Sequence, residues 1–150
     1  MQVSRERGDV IVTHALGSCL GISVYDPAAG VGGLLHVMMP EGRTNPEKAA
    51  TNPFMFVDTG VPAFFREVYG AGAVKSRCVV KVAGGANVNG AGIDRFEIGK
   101  RNFIILRKLF WKNGVLIDAQ DVGGTVPRTM YLEIGTGRVW LSTAGAEKEL

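Results

Sequence analysis

The sequence predicts an α+β domain built on a mixed β-sheet. Short β-branched runs outnumber segments of helical spacing, and hairpin-like turns mix with β-α-β stretches. The 21 glycines among 150 residues fall in local clusters rather than in a repeat, which reads as tight turns between short elements. With 46% hydrophobic and 21% charged residues, the composition is that of an ordinary globular chain. Residues 1–150 read as a single domain, since no low-complexity linker divides them.

Val10-Ile11-Val12-Thr13 and Leu20 to Tyr25 are β-branched and alternating, which predicts two strands. Asp26-Pro27-Ala28-Ala29-Gly30 is turn chemistry, and Val31 to Met39 returns as a third strand. Pro40 to Asn52 is polar and aperiodic, a surface loop. Phe54 to Tyr69 has helical spacing with Gly70 as its C-terminal cap. Gly60 and Pro62 inside that stretch predict a late start or a kink. Ser76 to Val82 alternates, with Cys78, Val80 and Val82 on one face. Further turns are expected at Gly84-Gly85, at Gly90 and Gly92, and at Gly123-Gly124. Ile98 to Asn113 is the strongest helix, with apolar Ile98, Ile105, Leu106, Leu109 and Phe110 and with Gly114 past its end. Val115 to Asp121 is another strand, and Met130 to Ile134 with Arg138 to Ser142 forms a hairpin around Gly135-Thr136-Gly137.

Charge and targeting narrow the function classes. The net charge of +3 comes from 17 scattered basic residues, without the concentrated basic face of a nucleic-acid binder. No apolar run approaches the roughly 20 residues of a membrane-spanning helix. The polar start, Met1 to Asp9, lacks the apolar core of a signal peptide. No nucleic-acid partner and no membrane insertion are therefore expected, and the cytoplasm is the expected compartment. In that reducing compartment Cys19 and Cys78 are not expected to pair. Two cysteines and two histidines without ligand spacing predict no metal site, and no cofactor is expected.

Three residues have the chemistry of a catalytic group, although local sequence alone favours a bland reading for each. Gly17-Ser18-Cys19 closely follows one strand and precedes another. A cysteine at such a bend, with free backbone N–H groups of Ser18 and Cys19 near it, suits a nucleophile beside an oxyanion site. Free cysteine is more often a small buried hydrophobe. His36 stands in the apolar run Leu34 to Met39, where a core role competes with that of a near-neutral base. If the strands around Ala28 form a hairpin, Cys19 lies opposite Val37 with His36 as its neighbour. Such an imidazole would lower the thiol pKa and take its proton. Thr13 would then fix the imidazole tautomer, while His14, its neighbour, should face the other way. Gly84-Gly85-Ala86-Asn87 reads mainly as a tight strand exit lining the cleft, which makes Gly85 and Asn87 substrate-cleft candidates beside Gly17 and Ser18.

The ordered set of segments resembles the CheD family of chemoreceptor glutamine deamidases. Leu16-Gly17-Ser18-Cys19 is similar to its nucleophile segment, and Gly32-Gly33-Leu34-Leu35-His36-Val37-Met38-Met39-Pro40 to its histidine segment. Lys81 with Gly84-Gly85-Ala86-Asn87, Ile98-Gly99-Lys100-Arg101-Asn102 and Asp121-Val122-Gly123-Gly124 follow in family order, with Arg128 and Thr136-Gly137 after them. The resemblance implies a triad of Cys19, His36 and Thr13, and hydrolysis of receptor glutamine side chains to glutamate. It implies two packed mixed β-sheets with helices outside, akin to the cytotoxic necrotizing factor deamidase toxins. Its implied partners are the cytoplasmic helices of methyl-accepting chemoreceptors and a CheC-type phosphatase, with receptor methyl-ester hydrolysis as a side activity. His14-Ala15 departs from the small or aliphatic residues usual there, and Gly60 and Pro62 depart from a regular helix.

Overall fold

The computed structural model describes residues 1–88 and 97–150, so the turn predicted at Gly90 and Gly92 lies outside the described residues. In chain order the strands are β1 (Gln2–Ser4), β2 (Val10–Leu16), β3 (Leu20–Asp26), β4 (Val31–Val37), β5 (Val79–Gly84), β6 (Ala119–Val122), β7 (Arg128–Glu133), β8 (Val139–Thr143) and β9 (Ala146–Glu149). The helices are α1 (Pro46–Thr51), α2 (Val57–Gly70) and α3 (Ile98–Asn113). One sheet has the order β1-β4-β3-β5-β6 and the other β2-β7-β8-β9. β5 and β6 run parallel, so the first sheet is mixed; the second is antiparallel throughout its described pairs.

β3 is buried along its whole length because both of its faces are covered. Leu20, Ile22 and Val24 join a core closed by Val57, Phe64 and Val68 of α2 and by Leu106 and Phe110 of α3. Tyr25, from the alternate positions of β3, joins Leu34 in a second core against Ile11, Leu16, Met130, Leu132 and Leu141 of the other sheet. The predicted α+β arrangement of two packed sheets with helices outside is the one observed.

Several boundaries differ from expectation, each for a local reason. The predicted loop 40–52 contains α1, which Asn45 caps by accepting the Lys48 amide at 3.0 Å, with Pro46 at the first helical position. α2 starts at Val57 rather than Phe54, after a 3-10 turn over Pro53–Met55, and continues through Pro62, which comes early enough to forfeit only the bond to Asp58. Gly60 is required by packing, since a Cβ there would lie 2.9 Å from the Phe54 Cα. Gly70 is the last helical residue, and Ala71 rather than Gly70 is the C-cap.

The strand expected from Ser76 begins at Val79, because residues 75–77 form a 3-10 turn held to the buried carboxylate of Asp26. That carboxylate accepts from the amides of Ala28, Ala29 and Val74 and from the Arg77 guanidinium. The strand expected at 115–121 is shorter and later, and β1 and β9, both edge strands, are additional to the expected strands. The hairpin of β7 and β8 matches expectation, with Tyr131 stacked on Trp140 at 4.9 Å.

Candidate active site

The register of β3 on β4 brings the predicted nucleophile and base to one face. Leu20 pairs with Val37 and Gly21 with His36, one residue out of the expected alignment. In a pleated sheet a one-residue shift exchanges faces. Cys19, two residues before Gly21, therefore shares the inter-sheet face with His36 and sits diagonally from it. The burial agrees: Cys19 packs against the inter-sheet core, and a Cβ on Gly21 would point at Leu16 and Met130 of that core.

Thr13 reaches the same place from the other sheet. A bulge between Thr13 and Leu16 sets His14 and Ala15 opposite a single residue of β7, with Ala15 at a φ of 56°, so that Thr13 and Leu16 both point inward. His14 is exposed, as expected of a residue facing away from the site. Thr13 Oγ1 lies 2.8 Å from His36 Nδ1, while His36 Nε2 is buried with no partner among the described residues. With Nδ1 protonated and donating to Thr13, Nε2 presents its lone pair, which is the tautomer of a base. No hydrogen bond joins Nε2 to the Cys19 thiol. Catalytic contacts of this kind commonly tighten only with substrate bound.

The electrostatics differ from the sequence expectation. Burial pushes the Cys19 thiol up, only partly offset by its own backbone amide, so the expected depression of this thiol is not found. Burial also pushes His36 down, with the positive amino terminus adding to the effect. Both shifts favour the uncharged forms, a thiol beside an imidazole. Cys78 is pushed up to about 11, by burial first and by the Asp26 carboxylate second, and its thiol points at the Val74 carbonyl.

The nucleophile turn is fixed through its carbonyls. Gly17 O accepts from the Ala86 amide at 2.7 Å and Cys19 O from the Gly85 amide at 2.8 Å. Ser18 O accepts from Asn102 Nδ2 at 3.0 Å. The amides of Ser18 and Cys19 donate to no carbonyl among the described residues. Gly85 therefore positions the turn rather than offering its own amide to a substrate. Gly84 has no alternative there, since a Cβ would lie 2.2 Å from Cys19 O. Asn87 lies along the adjoining cleft of about 210 Å³ with Gly85, Gly99 and Gly124, and its Oδ1 is buried without a partner among the described residues. In the sequence Asn102 stands out only as part of a family segment. Nothing in its local sequence marks it, because its partners are remote in the chain. Among the described residues no three His, Cys, Asp or Glu side chains gather as metal ligands, and no helix is long and apolar enough to cross a membrane.

Comparison with known proteins adds a family. Residues 38–143 match the family model described as CheD chemotactic sensory transduction. That span begins after His36, so it covers β5 to β8 and Asn102 but not Thr13, Cys19 or His36. A protein of Solibacter usitatus named "Probable chemoreceptor glutamine deamidase CheD" is 48% identical, over 94% of this chain and 83% of its own length. A Syntrophus aciditrophicus protein, "Probable chemoreceptor glutamine deamidase CheD 1", is 47% identical over 96% of this chain and 89% of its own. A relative from Pyrococcus abyssi is 40% identical over 87% of this chain and 79% of its own.

Proposed function

The chain belongs to the CheD family, and from that premise we propose that it is a chemoreceptor glutamine deamidase acting through Cys19, His36 and Thr13. The observation that carries the residue assignment is the Thr13–His36 bond, which leaves a buried, unpartnered Nε2 on the face that Cys19 shares. His36 Nε2 takes the thiol proton as sulfur attacks the glutamine carboxamide carbon, and the carbonyl electron pair moves to oxygen. The Ser18 and Cys19 amides stabilise that oxyanion. Collapse expels ammonia, which receives the proton from His36, and leaves a thioester. His36 then deprotonates water, whose attack releases glutamate and regenerates the thiol. The sum is glutamine plus water giving glutamate plus ammonia.

The substrate in this reading is a glutamine on the cytoplasmic helices of a chemoreceptor, which places the protein in the cytoplasm. A CheC-type phosphatase partner and methyl-ester hydrolysis by the same acyl chemistry belong to this reading on family grounds alone.

The test is mass spectrometry of a receptor cytoplasmic fragment incubated with the protein, with Cys19→Ala and with Cys78→Ala. Conversion by the unaltered chain and by Cys78→Ala, but not by Cys19→Ala, is the expected result. Equal loss in both variants would sink the assignment. A stoichiometric effect on the receptor that survives Cys19→Ala would instead favour a regulatory binding module.

A further inference from the structure

Asn102 is fully buried in the second turn of α3, and its Nδ2 donates to Ser18 O at 3.0 Å and to Met38 O at 3.1 Å. One acceptor adjoins the nucleophile; the other lies two residues past the base. α3 comes this close because Gly99, one turn earlier, packs on Gly85 with no room for a Cβ, which would sit 2.5 Å from Gly85 O. Asn102 Oδ1 has no partner among the described residues. A buried acceptor left unmet offsets most of what two ordinary hydrogen bonds contribute. The side chain is therefore poorly explained by stability.

Its value lies in direction. Ser18 C=O and Cys19 N–H belong to one planar trans peptide and point opposite ways. Holding the carbonyl fixes the amide. We infer that Asn102 is the positioning residue that aims the Cys19 N–H at the developing oxyanion, with Met38 O anchoring it to the strand that carries His36. This rests on the deamidase reading above and adds a residue that reading does not use.

The decisive comparison sets deamidation against alkylation. Attack of the thiolate on iodoacetamide is a displacement at carbon that forms no oxyanion, so it needs the thiol but not the aimed amide. Asn102→Ala and Asn102→Ser are compared with the unaltered chain for kcat and KM on the receptor fragment, for Cys19 alkylation across pH with Cys78 as internal reference, and for thermal unfolding. Asn102 in the inferred role predicts a kcat lower by about 10²-fold, KM within about twofold and an unchanged alkylation profile. An unchanged kcat in folded variants overturns the inference. A fall in alkylation parallel to kcat overturns it too, since Asn102 would then hold the loop as a whole. Loss of the fold in both variants overturns it by making Asn102 a residue of stability. Absence of conversion by the unaltered chain removes the deamidase reading, and the inference with it; conversion by that chain and by both variants alike removes the inference only.

Discussion

At the scale of single residues, burial favours the uncharged form of both members of the proposed pair, and this sets the pH dependence expected of it. Burial raises the Cys19 thiol and lowers the His36 imidazole, so each favours its uncharged form. As pH falls, His36 keeps its lone pair until below the ordinary histidine value. The acid limb of kcat/KM is thus expected below about 6.5. As pH rises, Cys19 alkylation should climb with a midpoint above the ordinary thiol value of about 8.5, and Cys78 should lag further, near about 11. Rapid, pH-independent alkylation of Cys19 at pH 6 would reveal a preformed thiolate and refute the neutral pair. The candidacy of these residues is legible through the ordered family segments around them, since the local sequence of each favours a bland reading. Their protonation states are not, since desolvation depends on what the other sheet covers. Asn102 is illegible for a related reason: it bonds a carbonyl 84 residues away.

At the scale of elements, Asp26 organises the end of the sheet opposite the site. Its side chain is fully buried, whereas that of Arg77 is 41% exposed, so the pair is one desolvated carboxylate with a solvated partner. The Arg77 guanidinium and the amides of Val74, Ala29 and Ala28 hold its carboxyl well below the usual carboxylate range. A depressed folded-state pKa gives stability that is fully present above the unfolded value, about 3.9, and is lost as pH falls toward the folded one. Asp26→Asn should therefore lower unfolding free energy at pH 7 by about 2 kcal/mol, by weakening bonds to a charged acceptor. In denaturant titrations that deficit should shrink progressively below about pH 4; a constant deficit would exclude the carboxylate as its source. The same residue explains which elements could be read from the chain. β3, β4 and α3 declared themselves by periodicity, whereas the start of β5 did not, because a carboxylate 48 residues earlier binds Val74 and sets the turn before it. β1 and β9 escaped notice since short edge strands owe their existence to a neighbour's free edge rather than to their own pattern.

At the scale of the whole molecule, the site exists only because two sheets are held at a fixed separation. Thr13 belongs to one sheet and His36 to the other, and the 2.8 Å bond between them has no tolerance for sheets that slide. Met130 is the residue to perturb: it is fully buried in the inter-sheet core, it is the register partner of Thr13, and its sulfur lies 2.9 Å from where a Cβ on Gly21 would be. Met130→Ala removes the spacer between the sheets and should cost about 2–5 kcal/mol. Val68→Ala opens the other core, between α2 and the first sheet, where it removes two methyl groups at a cost of about 2 kcal/mol. At a temperature where both variants are fully folded, Met130→Ala should lower kcat about tenfold by loosening the Thr13–His36 tie, within the range for disturbed acid–base catalysis. Val68→Ala should leave kcat unaltered. Stability alone would rank the two by their loss of unfolding free energy; sheet separation ranks them by which core was opened. Equal kcat losses in the two variants would mean that the site senses only overall stability. A loss confined to Met130→Ala would place the control of His36 in the packing between the sheets.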